Sequence, residues 1–263
     1  MDFTLNEEQQ LLKNSAERFV EQDYGFERRR DIIASPDGFD REVWAQMAEL
    51  GWLGLPFSEE DGGYDGTPVE TMILMEAIGC GLMVEPYLAT VVLGGGLIAA
   101  CGNADQKATI LPQLIAGKML LALAYAEPQS RFDPADVITT ATKDGGGYLL
   151  NGHKAVVLNG GSADKIIFSA RTSGDQRDQG GISLFIIDAD AAGLKIKSYP
   201  TIDGLRAAEI ELTNVAAEAL GKIDDAYPAI EAVLDAGIAA IAAEAVGAMQ
   251  VLHDDTIEYL KTR

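Results

Sequence analysis

Residues 137–158, VITTATKDGGGYLLNGHKAVVL, decide the fold class of the central part of the chain. Three runs here, VITTATK, YLLNG and KAVVL, each predict a strand, and DGGG at 144–147 between the first two predicts a tight hairpin turn. The same character extends from about Met119 to Leu220, where five further runs predict strands: MLLALAYA, KIIFSA, GISLFIID, LKIKSY and AEIELTNV. Because no helix separates these runs, the sequence predicts an antiparallel barrel or sandwich rather than a Rossmann sheet.

Helical patterns precede this β region. Capping boxes at Thr4 to Glu7 and at Thr67 to Glu70 predict two helix starts, the second with proline at the first helical position. Between them, VWAQMAELG predicts a short helix that Gly51 ends. After the second box, TMILMEAIGCGL predicts a largely buried helix.

A helical pattern also follows the β region after Asp224. It predicts one long helix with an apolar stripe at Ile230, Leu234, Ile238, Ile241, Ala245, Met249 and Leu252. A lone helix has nothing to bury such a stripe against, so we expect it to pack on a partner or on residues beyond the end of the sequence. The last residues, TIEYLKTR, lack a glycine or proline stop signal, and we expect a truncation at Arg263.

Composition excludes several classes of function. The chain has 263 residues, of which 48% are hydrophobic, so it has material for a sizeable core. Its 41 acidic and 20 basic residues give a formal net charge of −21. That charge repels polyanions, so we expect no nucleic-acid partner and no anionic membrane partner.

The remaining sequence signals favour a cytoplasmic protein. Cys80 and Cys101 form no CxxC motif, which argues against a disulfide framework and a zinc site. The start, MDFTLNEEQQ, is acidic and helix-forming, unlike a secretory signal. Glu244 interrupts the richest apolar run, GIAAIAAEAVGAM, so we expect no membrane insertion.

Several short segments, each weak alone, occur in a specific order along the whole chain. They are FTLNEEQQLLKNSAERF, LGLPFSEEDGGYDG, GNADQKATILPQLIAGK, LLNGHKAVVLNGGSAD, GLRAAEIELTNV and AVGAMQVLHDDTIEYLKTR. In this order they resemble the acyl-CoA dehydrogenase family. The resemblance implies an α+β fold with an N-terminal helical domain (1–118), a central antiparallel β domain (119–222) and the first helix of a C-terminal four-helix domain (223–263), whose remainder is absent.

The resemblance also implies a cofactor and a reaction. In this family FAD lies against the β domain and across a subunit interface, with an acyl-CoA thioester beside the flavin. A carboxylate removes the α proton while the β hydrogen leaves as hydride to the flavin. Such chemistry needs donors for the carbonyl and the flavin, a flat wall behind the ring, and a positioned base.

The stretch AYAEPQSRFD (124–133) resembles the flavin loop of the family, Thr-Glu-Pro-x-Ala-Gly-Ser-Asp, with changes at the contact positions. Ala126 replaces the threonine, and Arg131 and Phe132 replace the Gly-Ser pair beside the cofactor phosphates. We expect this added bulk to hinder a phosphate, although Arg131 is alternatively a phosphate-binding group. The second flavin strand, Trp-Ile-Thr/Ser in the family, is Val156-Val157-Leu158. The cofactor positions implied by the resemblance are thus Tyr125, Ala126, Phe132, Val156 and Leu158.

The substrate positions change in the same way. Asp235 matches the aspartate of an Asp-x-x-Arg pair that grips CoA, but Ile238 replaces the arginine. One family position for the base corresponds to Gly237, and the other lies beyond Arg263, so no catalytic base is identified. Glu244 is a candidate substitute, and the simpler interpretation is a polar residue at a helix contact.

These positions leave three hypotheses open. The first is a subunit of a hetero-oligomeric acyl-CoA dehydrogenase, with FAD held mainly by a homologous partner. The second is a self-sufficient flavoenzyme that binds FAD and acyl-CoA through variant contacts, alone or with copies of itself. The third is a structural relative without catalysis. Tyr125, Lys154 and Arg206 also have plain structural interpretations: an aromatic in the β core for Tyr125, and turn-holding or solvent-facing cations for the other two.

Overall fold

The computed structural model describes residues 4–263, so the first three residues of the acidic start, with Phe3 of the predicted opening helix, lie outside the described residues. The N-terminal part is helical. Its helices are α1 (Glu7–Asp23), α2 (Phe26–Ala34), α3 (Arg41–Glu49), α4 (Pro68–Gly81), α5 (Gly96–Cys101) and α6 (Ala104–Ile115), with a π-helical segment (Leu88–Gly95) leading into α5 and 3-10 turns at Trp52–Gly54 and Glu59–Asp61.

A β domain and one long helix follow. The strands are β1 (Leu121–Ala124), β2 (Thr140–Asp144), β3 (Gly147–Leu158), β4 (Lys165–Arg171), β5 (Ile182–Asp188), β6 (Leu194–Pro200) and β7 (Arg206–Leu220), and the helix is α7 (Tyr227–Thr262). The order of helices, β domain and helix confirms the predicted α+β class. The two runs predicted as YLLNG and KAVVL form the single strand β3.

The helix starts agree with one of the two predicted capping boxes. At α4, Glu70 Oε2 accepts the Thr67 backbone N–H at 2.7 Å, as predicted. At α1 the predicted box from Thr4 is wrong, because Asn6 is the cap: its Oδ1 accepts the Gln9 N–H at 2.8 Å, and the Gln9 side chain accepts the Asn6 N–H. Asparagine is among the best N-cap residues, and glutamine three residues later completes the box.

The strands close into a barrel. The pairing runs β4–β2–β3–β7–β5 and returns to β4, with β1 attached to β4 and β6 attached to β7. The predicted hairpin at 144–147 joins β2 to β3 in antiparallel register. The expectation of a purely antiparallel sheet is wrong in two places, because β4 pairs in parallel with both β1 and β2. Long connections separate β4 from each of these strands along the chain, which is the condition that a parallel pair requires.

Helix α7 packs against the N-terminal domain through small residues. Its buried positions are Ile230, Val233, Gly237, Ala240, Ala243 and Gly247. A side chain at Gly79 of α4 would overlap the Glu244 carbonyl, and one at Gly247 would overlap the Glu76 carbonyl. Glycine at both positions therefore lets α4 and α7 cross backbone against backbone.

The predicted apolar stripe of α7 is not its buried face. Of that stripe, Ile230 is buried, but Ile238, Ile241, Met249 and Leu252 are exposed. The prediction was wrong because it followed the largest apolar side chains, whereas the close crossing with α4 selects the smallest ones.

The composition of α7 also corrects an expectation about membranes. Among the described residues, it is the one helix long and apolar enough to cross a bilayer, with a mean hydropathy of 1.6 over its richest window. Glu244 therefore does not exclude such a length of apolar helix. In this structure 28% of that window is buried.

Candidate functional site

A buried ion pair lies beneath the loop that follows β1. Lys154 projects from β3, and its Nζ donates to Glu127 Oε1 at 2.7 Å, with neither side chain exposed. The same ammonium donates to Ser169 Oγ at 3.0 Å and to the Tyr125 carbonyl at 3.3 Å. Lys154 therefore holds a turn, as one interpretation expected, but it does not face solvent.

The electrostatics of this pair follow from its burial. Burial lowers the pKa of Lys154 to about 8, although the Glu127 carboxylate opposes that shift. Burial alone would raise the pKa of Glu127, but the charge and hydrogen bond of Lys154 outweigh it and lower that pKa. Both groups are thus charged near neutral pH and depend on each other.

Both carboxylate oxygens and the backbone N–H of Glu127 accept or donate hydrogen bonds that fix the loop. Glu127 Oε2 accepts the Ile138 N–H at 2.9 Å, and Oε1 accepts the Thr139 N–H at 3.1 Å. Ser130 Oγ accepts the Glu127 N–H at 3.0 Å, and Asp133 Oδ1 accepts the Ala135 N–H at 2.9 Å. The retained residues Glu127 and Asp133 therefore work as internal braces.

A second brace, Arg171, was not found from the sequence. Its guanidinium is buried at the end of β4 and donates to six backbone carbonyls, those of Ala135, Val137, Ser173, Gln176, Asp178 and Gly180. It joins the segment after the loop to the β4–β5 connection. No sequence signal distinguishes it from a solvated arginine, because its partners are all backbone atoms.

The exposed rim of the loop, formed by Arg131 and Phe132, differs from its buried base, which is formed by Glu127 with Lys154 and Arg171. Arg131 adopts φ = +51°, a left-handed conformation that favours glycine. Phe132 is 98% exposed, so its ring does not pack into the β domain. The position where the family has glycine thus keeps a glycine-like backbone while carrying arginine.

The second flavin strand lies next to the loop. The Ala155 N–H donates to the Ala126 carbonyl at 2.9 Å, which places Tyr125 and Ala126 beside β3. The register against β7 shifts between Lys154 and Val157. Val156 at this bulge has φ = +53°, a strained conformation for a β-branched side chain.

The structure therefore brings four of the five predicted cofactor positions to one region, namely Tyr125, Ala126, Val156 and Leu158, with Phe132 turned to solvent. Their side chains do not supply the contacts that the resemblance implies. Ala126 and Leu158 carry no hydroxyl, and Val156 offers no aromatic wall. The Tyr199 side chain, which the sequence did not suggest, lies near the Val156 backbone.

The predicted substrate positions lie on α7 with little to hold a ligand. Asp235 and Ile238 are exposed, and Gly237 is buried against the π-helical segment. A Cβ at Gly237 would approach Leu93 Cδ2 at 2.9 Å, so a side chain here would require the end of the Leu93 side chain to shift.

Glu244 lies at the crossing of α4 and α7, about 10 Å along the helix from Gly237 at 1.5 Å per residue. Its side chain is half-buried, and burial together with the charge of Asp203 raises its pKa. The backbone contact with Gly79 fits the interpretation of a polar residue at a helix contact.

Arg206 holds a turn, as one interpretation expected. Its Nη2 donates to the Ser35 carbonyl at 2.9 Å and to the Ile33 carbonyl at 3.4 Å. These bonds join the start of β7 to the segment after α2.

An apolar cavity of about 870 Å³ lies between the start of α4, α5 and α7. Met72, Val92, Ala99, Ala236 and Ala240 contribute to its walls, whereas Asp235 and Gly237 do not. The cavity therefore adjoins the predicted substrate positions through Ala236, which lies between Asp235 and Gly237.

Comparison with known proteins places this geometry in a family. The N-terminal domain of acyl-CoA dehydrogenases matches residues 6–118, and the middle domain of the same family matches residues 122–215. The probable acyl-CoA dehydrogenase YngJ of Bacillus subtilis is 31% identical over 271 residues, covering 100% of this chain and 71% of its own length. The chain belongs to the acyl-CoA dehydrogenase family.

Solved structures of relatives agree with this assignment. An FAD complex of PigA superposes with a TM-score of 0.91 at 26% identity, covering 100% of this chain and 70% of PigA. A variant of the Tcur3481-Tcur3483 steroid ACAD superposes with a TM-score of 0.86 at 31% identity, covering 99% of this chain and 68% of that one. The family is one of FAD-dependent oxidoreductases.

Proposed function

We propose that this acyl-CoA dehydrogenase family chain is one subunit of a hetero-oligomer, of the type of the small subunit of pimeloyl-CoA dehydrogenase. The complex would carry out FAD-dependent α,β-dehydrogenation of an acyl-CoA thioester in the cytoplasm. In this proposal a homologous partner holds the flavin ring and supplies the base. This chain contributes its fold, an interface and part of a shared site.

The observation that carries the proposal is the contrast within the loop at 125–133. Its buried base is fully braced by Lys154, Glu127 and Arg171, while its contact positions lack the required groups. Because breaking a buried ion pair is strongly destabilising, the stability of the fold accounts for the retained charges, and the changed contact positions carry the proposed loss of flavin contacts.

The magnitudes support a weak or absent flavin site in this chain. Three hydroxyls are missing relative to the family, at Ala126, Phe132 and Leu158, and each neutral hydrogen bond contributes about 0.5–1.5 kcal/mol. The missing aromatic wall at Val156 removes about 0.5–1.5 kcal/mol more. Together these losses amount to several kcal/mol of cofactor affinity.

The substrate side supports the same division of labour. Gly237 has no side chain, so it supplies no base at this position. The exposed Ile238 cannot pair with a CoA phosphate as an arginine would. The double designation of a relative at 31% identity, the Tcur3481-Tcur3483 steroid ACAD described above, supports the proposal of a two-chain assembly.

Coexpression with candidate partner chains tests the proposal. The complex, purified through a tag on this chain alone, should reduce an artificial electron acceptor when an acyl-CoA is added, and this chain alone should not. Activity of this chain alone would favour the self-sufficient flavoenzyme. An inactive complex with every partner and every acyl length would favour a structural role.

A further inference from the structure

The chain just before helix α7 is tied to the β4–β5 connection (172–181) by one aspartate. Asp224 adopts φ = +66°, a left-handed conformation that is uncommon for residues other than glycine. Its Oδ1 accepts the Thr172 hydroxyl at 2.6 Å and the Ser173 hydroxyl at 2.7 Å. Its carbonyl accepts the Gly181 N–H at 2.9 Å. Asp224 therefore bonds to both ends of the connection.

Further bonds hold the unusual backbone of Asp224 in place. Its N–H donates to Ser183 Oγ at 2.7 Å, and Ser183 is fully buried at the start of β5. The Ala226 N–H donates to the Ile182 carbonyl at 3.0 Å. A side chain persists in such a conformation only where the surrounding structure imposes it. These bonds therefore fix the path of the chain from β7 into α7.

The middle of the same connection holds the segment that follows the loop at 125–133. Asp136 is 2% exposed, and its Oδ1 accepts Gln176 Nε2 at 2.6 Å. The Val137 N–H donates to the Gln176 carbonyl at 3.0 Å. Gln129, inside the loop, also donates to Asp136 Oδ1, at 3.3 Å. The connection thus reaches the loop through a buried carboxylate.

Arg171 joins these two sets of bonds. Two of the six carbonyls that it binds, those of Ala135 and Val137, belong to the segment after the loop, and the other four belong to the connection. Because one guanidinium serves both, a change in the connection also alters the bonds of that segment. The connection is therefore a hydrogen-bonded route from Asp224 to the loop.

We propose that Asp224 is a positioning residue for the loop at 125–133 and that it acts through the 172–181 connection. While Asp224 anchors the connection, Gln176 holds Asp136 and Val137 in place. Without the anchor, the connection loosens and the segment after the loop opens more often. The inference rests on the proposed function in one respect, namely that the loop forms part of a shared site, whose geometry Asp224 would then set from the start of α7.

Hydrogen exchange of the intact 263-residue chain tests this role. Asp224→Gly removes the carboxylate acceptor but keeps the left-handed backbone, which glycine adopts without strain. Exchange of the Val137 amide should become at least about tenfold faster, because hydrogen bonds to a charged group are among the stronger ones. Asp224→Asn retains an Oδ1 acceptor and tolerates the same backbone, so it should restore slow exchange.

Asp225→Gly is the matched control. Asp225 is exposed and adjacent in the chain, so this change removes a carboxylate and adds backbone freedom while the bonds of Asp224 stay in place. Exchange of the Val137 amide should remain within about twofold of the wild-type rate, as expected for a surface substitution.

A milder variant keeps the test decisive if Asp224→Gly fails to fold. Ser173→Ala removes one of the two hydroxyl donors, and Val137 exchange should become at least about fivefold faster. Unchanged Val137 exchange in whichever of these two variants folds would overturn the inference, as would an equal acceleration in Asp225→Gly. Because the measurement uses this chain without a partner, neither result bears on the proposed subunit function.

Discussion

The base and the rim of the loop at 125–133 differ in burial and in hydrogen bonding. At the base, Lys154, Glu127 and Arg171 make a closed set of buried bonds, and every charge has a partner. At the rim, Arg131 and Phe132 are exposed, and Arg131 occupies a backbone conformation suited to glycine. A fold can therefore keep the internal structure of a cofactor loop while its contact surface changes, because the two sets of side chains do not touch the same atoms.

The largest effect should come from breaking the base. Lys154→Met leaves Glu127 charged and buried without its cation, which should lower the free energy of unfolding by about 3–5 kcal/mol. Urea unfolding measures this loss. The matched control is Lys195→Met, which breaks the exposed pair with Glu211 and should change stability little. Equal losses in the two variants would contradict the assignment of Lys154 as a buried brace of the loop.

A smaller effect is expected from restoring contact groups. The double variant Ala126→Thr and Leu158→Thr returns two hydroxyls beside β3 and should strengthen FAD binding by about 1–3 kcal/mol, at about 0.5–1.5 kcal/mol for each hydrogen bond. Equilibrium titration with FAD measures the change. Ala126→Ser with Leu158→Val provides a control with one hydroxyl. No gain in the double variant would mean that rim bulk, rather than lost hydroxyls, limits binding.

Relief of the backbone strain at Arg131 should change the free energy by less than either of the changes above. Arg131→Gly relieves the left-handed conformation, which costs a side chain about 1–2 kcal/mol, but adds freedom to the unfolded chain. The net gain should be about 0.5–1 kcal/mol in thermal or urea unfolding. Arg131→Ala keeps the strain and removes the side chain, so it should not stabilise. A gain in stability in the alanine variant would indicate that the arginine charge, rather than the backbone strain, destabilises the protein.

The smallest effect should be that of Phe132→Ser. Because the ring is almost fully exposed, its loss should change the stability of this chain by less than about 0.5 kcal/mol. Differential scanning calorimetry measures the change. A loss of more than about 1 kcal/mol would show that Phe132 packs within the chain and belongs to the base.

The sequence predicted the helices and strands of this fold better than the pairing and packing between them. Alternating runs and the DGGG turn predicted the β region, since local pattern reflects which face is buried. The sequence did not predict the parallel pairing of β4 with β1 and β2, the buried side of α7 or the N-cap at Asn6. Each depends on a contact or a competing residue that a pattern does not contain, such as the crossing of Gly79 and Gly247.

The candidate site shows the same limit. Resemblance identified Glu127, Asp133 and the changed positions at Ala126 and Val156, because these lie in ordered motifs. It did not reveal that Lys154 is fully buried or that Arg171 binds six carbonyls. A lysine or arginine in a strand is usually solvated, so only the packed structure distinguishes a brace from a surface charge.

Flavin stoichiometry tests the central claim most directly. The visible absorbance of this chain, purified alone and then in complex with a homologous partner, is measured together with the protein concentration. The account predicts no flavin band for the chain alone and flavin in the complex at one equivalent for each partner subunit. A stoichiometric flavin spectrum from the chain alone would contradict it.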